Sequence, residues 1–320
     1  MSGSPVDVAA VLAAALQALV LVAVAPLLVG GMRQVRASLE GRAGGRIGQP
    51  WRDLRKQLGK ETIRPQGSSW VYVGAPRVLL GSSLLLAGAG PFISTALPLD
   101  GAVDLFAVVS LLLLGSVALA LAGLDTGTAF GGMGASRSMT IAALAEPTIL
   151  LTGFALSARV GSSNLTAIVE GNQHTPEQVL SPVSLLAAVA LAVVIVAETG
   201  RLPVDNPATH LELTMVHEAM VLEYAGPDLA LVELASALRL TVLLGLGANL
   251  FLPWGIANST GVLPLLGSTV VLVTKLAVLA GVLAAAEVFI AKWRLFRVPE
   301  LLAGSFLLAL LSVSASFFLV

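Results

Sequence analysis

Apolar runs of about twenty residues recur along this chain, and few folds can accommodate them. In hydrocarbon such a run must be helical, because only a helix or a closed barrel satisfies the backbone without water. Eight spans can be drawn, at roughly 8–31, 72–95, 103–124, 139–160, 181–199, 231–254, 263–286 and 299–320. The second, with Pro76 and Pro91, and the eighth, with Glu300 near its start, have the weakest patterns. Charged residues make up 12% of the chain, half the ~25% of a soluble domain. The expected fold is all-α: a single polytopic transmembrane domain of about eight helices, with further helices in its cytoplasmic loops. The first run lacks a preceding basic segment and is longer than a signal-peptide core, so it reads as an uncleaved span.

Orientation follows from basic residues. Nine Lys and Arg lie between Arg33 and Arg64, which places loop 32–71 in the cytoplasm. Alternation then puts Arg137, Arg201, Lys292, Arg294 and Arg297 on the same side. The opposite loops hold little beyond Arg159 and carry Glu170 and Glu177, so both termini are expected outside the cell membrane. Within the first loop, Trp51, Leu54 and Leu58 form an apolar stripe beside Arg52, Arg55, Lys56 and Lys60. That pattern fits a helix lying in the headgroup plane, and equally a basic loop that only sets topology.

Several chemistries are excluded. Without cysteine the chain can form no disulfide and ligate no iron–sulfur cluster, so any redox centre must belong to a partner. No basic surface with interleaved aromatics suggests nucleic acid. Gly131-Gly132-Met133-Gly134 lacks the Gly-Lys-Ser/Thr of a phosphate loop and reads as a turn that lets the next helix pack closely. His217-Glu218 begins like a zinc-protease motif, but Val221 stands where its second histidine belongs. His210 and His217 share a helical face with no third ligand in view. The loop 161–182 reads as polar and turn-rich, with a glycosylation sequon at Asn164 and a solvated His174.

The acids remain. Glu146 lies within the fourth span, where a carboxyl must be protonated or paired. Glu198 ends the fifth, followed by Arg201 and Asp205. Pro203 and Pro207 then forbid a continuous helix, which the pattern predicts to resume at about Thr209. That helix would carry Glu212, His217, Glu218 and Glu223 and break at Tyr224, Gly226 and Pro227. Glu233 starts the next helix, with Arg239 two turns into it. Lys275, midway along the seventh span, needs a partner, for which Glu146, Glu287 or a loop carboxylate is available. A solvated acidic loop does not explain acids that continue into the membrane. A chain of titratable groups entering from the cytoplasm is what a proton relay requires.

These stretches are familiar together. AETGRLPVDNPATHLEL resembles the loop of a membrane subunit shared by respiratory complex I, where it is the H subunit, and the energy-converting NiFe hydrogenases. GRIGQPWRDLRKQLGKETIRP, GLDTGTAFGGMGASRSMTIAALAEP and AKWRLFRVPELL are similar to other loops of that family, in the same order. Ala208 and His210 stand where complex I members carry extra glutamates, and THLELTMVHEAMVLEYAG is longer than its complex I counterpart. Both departures resemble the formate hydrogenlyase and hydrogenase-4 branch. The resemblance implies a strongly tilted bundle whose loops 32–71 and 200–230 dock the NiFe-hydrogenase large and small subunits and an iron–sulfur subunit. Lys60, Glu61, Arg201, His210, His217 and Glu218 would lie at that interface. Glu146, Glu198, Asp205, Glu212 and Glu223 fall at the family's acidic positions, and Lys275 would extend the path toward antiporter-like membrane subunits. The NiFe centre and iron–sulfur clusters would belong to the partners, and the chain itself would hold no catalytic, cofactor or metal residue. The implied function couples redox chemistry in partners to proton or sodium movement. A quinone-site subunit of complex I, an autonomous secondary transporter and a bare scaffold are the rivals.

Overall fold

The computed structural model describes residues 8–98, 103–205, 215–290 and 297–318. These form helices α1 (Val8–Leu39), α2 (Gln49–Leu58), α3 (Trp70–Ala89), α4 (Leu105–Asp125), α5 (Ala129–Val160) and α6 (Leu165–His174). The remainder are α7 (Pro176–Val179), α8 (Pro182–Glu198), α9 (His217–Val221), α10 (Gly226–Phe251), α11 (Val262–Phe289) and α12 (Val298–Phe318). Seven are long and apolar enough to cross a membrane: α1, α3, α4, α5, α10, α11 and α12. The eighth apolar helix, α8, has 17 residues, which reach only ~26 Å against the ~30 Å of a hydrocarbon core.

Local chemistry sets many of the boundaries. Ser69, Asp104, Thr128 and Ser181 each accept a hydrogen bond from a backbone N–H in the first turn of α3, α4, α5 and α8. α3 continues through Pro76 and stops before Pro91. α5 starts ten residues before the hydropathic span drawn from 139, because glycines and serines dilute its apolar signal without breaking the helix. The Gly131–Gly134 run is therefore the first turn of α5 and not a separate turn. Its close packing is real: a Cβ on Gly134 would lie 2.9 Å from Ala219 Cβ and 2.9 Å from the Val216 carbonyl.

α10 is the hub. Every residue from Leu238 to Leu246 is buried, the pattern of a helix enclosed on all sides. It packs against α1, α2, α3, α8 and α11, while α5 gathers α4, α8 and α12. Outer faces are apolar, with Leu263, Val270, Val282 and Phe289 exposed on α11 and Leu307, Leu311 and Phe317 on α12. Such faces fit lipid and not water. Of the two readings of the first loop, the structure has the amphipathic helix, α2. Leu54 is buried, Arg52, Arg55 and Lys56 are exposed, and the Trp51 indole donates to the Ala23 carbonyl of α1 at 3.1 Å.

One buried stretch is not helical. After α3 the chain runs irregularly through Pro91–Leu97, nearly all of it buried, which a membrane protein tolerates only if protein supplies the missing hydrogen bonds. Gln17, wholly buried on α1, donates to the Ala87 and Gly90 carbonyls at 2.8 and 2.7 Å and accepts from Ile93 N–H at 2.9 Å. Asn249 on α10 donates to the Pro91 and Phe92 carbonyls. Ala257 pairs its backbone with Ile93 and Thr95. Replacing Gln17 by Leu keeps the volume and orphans these groups. The expected loss is about 2–4 kcal/mol of stability, read as a lower unfolding midpoint in detergent. An unchanged midpoint would mean the segment finds other partners.

Candidate functional site

The site begins where α8 ends. Gly200 adopts φ +58, and two backbone bonds, Arg201 N–H to the Val196 carbonyl and Gly200 N–H to the Ala197 carbonyl, close the helix. The turn lines a cavity with Thr199, Gly200 and Arg201, as irregular backbone inside a helix bundle must unless it is buried. It is anchored by charge. Arg201 pairs with Glu287 of α11 at 3.5 Å, and Arg36 of α1 pairs with the same carboxylate, whose side chain is fully enclosed. Asp205, 2% exposed, accepts from the backbone N–H groups of Val216 and His217 at 3.2 and 3.3 Å. It thereby caps α9.

Deeper in, a charge cluster joins four helices. Arg239 of α10 donates to Glu198 of α8 and, at 2.7 Å, to the Ser116 hydroxyl of α4. The two charged side chains are 9% and 4% exposed. Glu146 of α5 is also buried, with Glu198 and Arg239 among the charged groups in its neighbourhood. Its Oε1 has no hydrogen-bond partner among the described residues.

A cavity of about 790 Å³ opens between this cluster and the basic loop, lined among others by Arg33, Asp53, Arg201, His217, Glu218 and Arg239. Three polar residues of α10 face it at helical spacing: Glu233, bonded by Gln57 of α2; Ser236, 3.4 Å from the His217 ring; and Arg239. His217 keeps some exposure through the cavity. Burial lowers its pKa, opposed by Glu218 and Asp205 and reinforced by Arg239 and Arg201. The ring is therefore neutral at pH 7. Such a chamber can hold water or a polar ligand and pass protons between its titratable walls.

The sequence candidates divide accordingly. Glu198, Arg201, Asp205, His217 and Glu218 come together around the cavity, with Glu146 beneath. Glu212 and His210 lie outside the described residues. The helix predicted from Thr209 to Tyr224 is, in its described part, only the five-residue α9, since Asp205 ends it on one side and a tyrosine latch on the other. Glu223 is exposed, and it is its backbone carbonyl that is engaged, accepting from the Tyr72 hydroxyl at 2.7 Å. Tyr224 returns a hydrogen bond to the Tyr72 carbonyl at 2.8 Å, and the rings stack 4.3 Å apart. Lys60 and Glu61 are exposed, and their backbone abuts Gly226, where a Cβ would fall 2.5 Å from the Glu61 carbonyl. Lys275 pairs with no carboxylate among the described residues. It donates to the Leu252 carbonyl at 2.5 Å and to Asn249 at 3.3 Å, neutralising the C-terminal end of α10. Glu287, considered as its partner, belongs to Arg36 and Arg201. Sequence reading left Arg239 unassigned, although its spacing from Glu233 and Ser236 was a usable signal.

The sequence family described as NADH dehydrogenase matches residues 11–317. Formate hydrogenlyase subunit 4 of Escherichia coli (strain K12) is 34% identical over 297 residues, 93% of this chain and 95% of the relative. Hydrogenase-4 component C of the same strain is 34% identical over 296 residues, 92% of each. The H subunit of NADH-quinone oxidoreductase from Syntrophotalea carbinolica is 31% identical over 217 residues, 64% of this chain and 63% of the relative. A solved structure of the membrane-bound sulfane sulfur reductase, an archaeal respiratory membrane complex, superposes with a TM-score of 0.84 over 95% of this chain and 98% of that one, at 20% identity.

His217 makes the loop pH-sensitive. Its folded pKa lies below the ordinary 6.5, so the open loop binds the proton more readily. The stability it contributes is present above pH 6.5 and is lost as pH falls from there toward the folded value. Amide exchange in residues 215–224 should quicken several-fold between about pH 7.5 and about pH 5.5, after correction for intrinsic rates. His217→Asn should flatten that dependence, and an equal acid response in the variant would discount His217 as its source.

Proposed function

The chain belongs to the NADH dehydrogenase family, and from that premise we propose that it is the membrane-anchor and ion-coupling subunit of a hydrogenase-4 or formate hydrogenlyase type complex. Its loops receive a soluble redox arm whose NiFe centre and iron–sulfur clusters sit in partner subunits. Its bundle, in the cytoplasmic membrane with both termini outside, meets antiporter-like neighbours. The observation that carries this reading is the Glu198–Arg239 pair and buried Glu146 beneath a charged cavity. Titratable groups held at that depth are expensive and mark proton or ion pathways.

The coupling we infer is local. A change of charge or position in the docked arm acts on the loop held by Arg201, Asp205 and His217. The loop alters the field at Glu198, and Glu146 passes the proton inward. Glu212 and Glu223 would serve the loop end of this path and Lys275 the far end, toward the neighbouring subunit.

A second reading, a chamber for a quinone head, draws on the same cavity and on the similarity to the H subunit of NADH-quinone oxidoreductase. The many fixed charges on its lining favour hydrated ions over an apolar ring. Insensitivity of the purified complex to quinone-site inhibitors, together with bound nickel, would exclude it.

Glu146→Gln in the assembled complex should reduce coupled ion translocation to background while hydrogen evolution from a soluble electron donor stays within about twofold. Vesicles that still acidify or alkalinise at the wild-type rate would remove Glu146 from the path.

A further inference from the structure

Two polar atoms in the charge cluster are buried and unpartnered among the described residues, and they are complementary. Glu146 offers Oε1 as an acceptor and Arg239 offers its Nε–H as a donor. An unmade bond on each side of one small cluster is costly, more so where no water competes. Arg239 is meanwhile committed through Nη2 to Glu198 and Ser116. Few other charges compete for Glu146. α8 brings only Glu198, α10 brings Arg239 with Asp228 and Glu233 toward its start, and α9 brings His217 and Glu218. Arg137 and Arg159 lie toward the two ends of α5, α6 carries Glu170 and His174, and the charged residues of α4 and α12, Asp125 and Glu300, sit at helix ends.

We propose that Arg239 is a shuttling counter-ion that pairs alternately with Glu198 and Glu146, so that the two acids share one proton and are never both ionised. This deepens the ion-coupling reading and rests on it.

The balance is simple. The contacts seen, with Arg239 on Glu198, correspond to one arrangement of the proposal, in which the proton is on Glu146. In the other, Glu146 is the carboxylate paired with the guanidinium and Glu198 carries the proton. Between the first arrangement and the second, one proton crosses from Glu146 to Glu198 as the guanidinium crosses from Glu198 to Glu146, and the return reverses both; no bond other than O–H is broken or made, and the three groups sum to zero charge in each arrangement. Moving a bare proton into hydrocarbon would create net charge at great cost. A neutral cluster that only exchanges partners avoids that cost. Arg239 is thus a positioning residue, acting through the two acids.

The test is infrared difference spectroscopy on the complex in membranes, reading the C=O stretch of protonated carboxyls. Glu146→Gln should remove one band. Glu198→Gln should also remove it, because Arg239 then has only Glu146 to pair with and ionises it, although the carboxyl itself is intact. Arg239→Gln should add a second band, lost again in Arg239→Gln/Glu198→Gln, whereas Arg239→Lys should leave one. Persistence of the Glu146 band at full amplitude in Glu198→Gln overturns the proposal, even if Arg239 variants fail to assemble. The outcomes separate from those of the coupling reading. Band loss in Glu198→Gln with normal translocation in Glu146→Gln would sustain the shuttle and sink its use in coupling. A persistent band with translocation lost would do the reverse.

Discussion

Removing a charge from water into a low-dielectric interior costs several kcal/mol even after relaxation, and among the described residues each enclosed helical carboxylate other than Glu146 is answered by an arginine from another element. Glu198 meets Arg239 across α8 and α10, and Glu287 meets Arg36 and Arg201 across α11, α1 and the loop. Asp228, in the first turn of α10, lies 3.7 Å from Arg64 and 4.0 Å from Arg77, where the helix dipole adds to its support. These pairs hold together elements that hydrophobic matching alone would leave free to slide, because apolar side chains gain little from one another against lipid. Elsewhere neutral groups serve the same purpose, with Gln17 and Asn249 supporting the irregular segment after α3.

The short α8 connects this electrostatics to shape. A full-length span would carry Glu198 to the headgroups, where an ion pair is worth little. Ending early leaves Glu198, Arg201 and the turn that follows inside the bundle, and the missing helix becomes the cavity. The chamber is therefore a consequence of helix length as much as of side-chain choice.

Much of this was legible in the chain itself. Run length and charge content identified a helical membrane domain, and the amphipathic stripe at Trp51, Leu54 and Leu58 marked α2. Acids were found because a carboxylate among leucines is conspicuous in one dimension. Their partners were not, because Arg239 and Glu198 are 41 residues apart and Arg36 and Glu287 lie at opposite ends of the chain, and nothing in hydropathy fixes which helix faces which. Lys275 shows the same gap: its position demanded a partner, but a backbone carbonyl freed at the end of α10 has no sequence mark. In the described part of the expected Thr209–Tyr224 helix, from Met215 on, only His217–Val221 is helical, for a related reason. Its apolar spacing suits a helix, yet Met215, Val216 and Met220 are buried by tertiary packing around Asp205.

The crossed tyrosine latch has a consequence for biosynthesis. Tyr72 is translated 152 residues before Tyr224, and a chain emerging N-terminus first cannot close the pair until nearly three quarters of it has been made. Until then the loop between α1 and α3 has neither its stacking partner nor the Gly226 turn against which Lys60 and Glu61 rest. That surface is thus completed late, and a truncated or half-inserted chain would present basic residues without the finished shape.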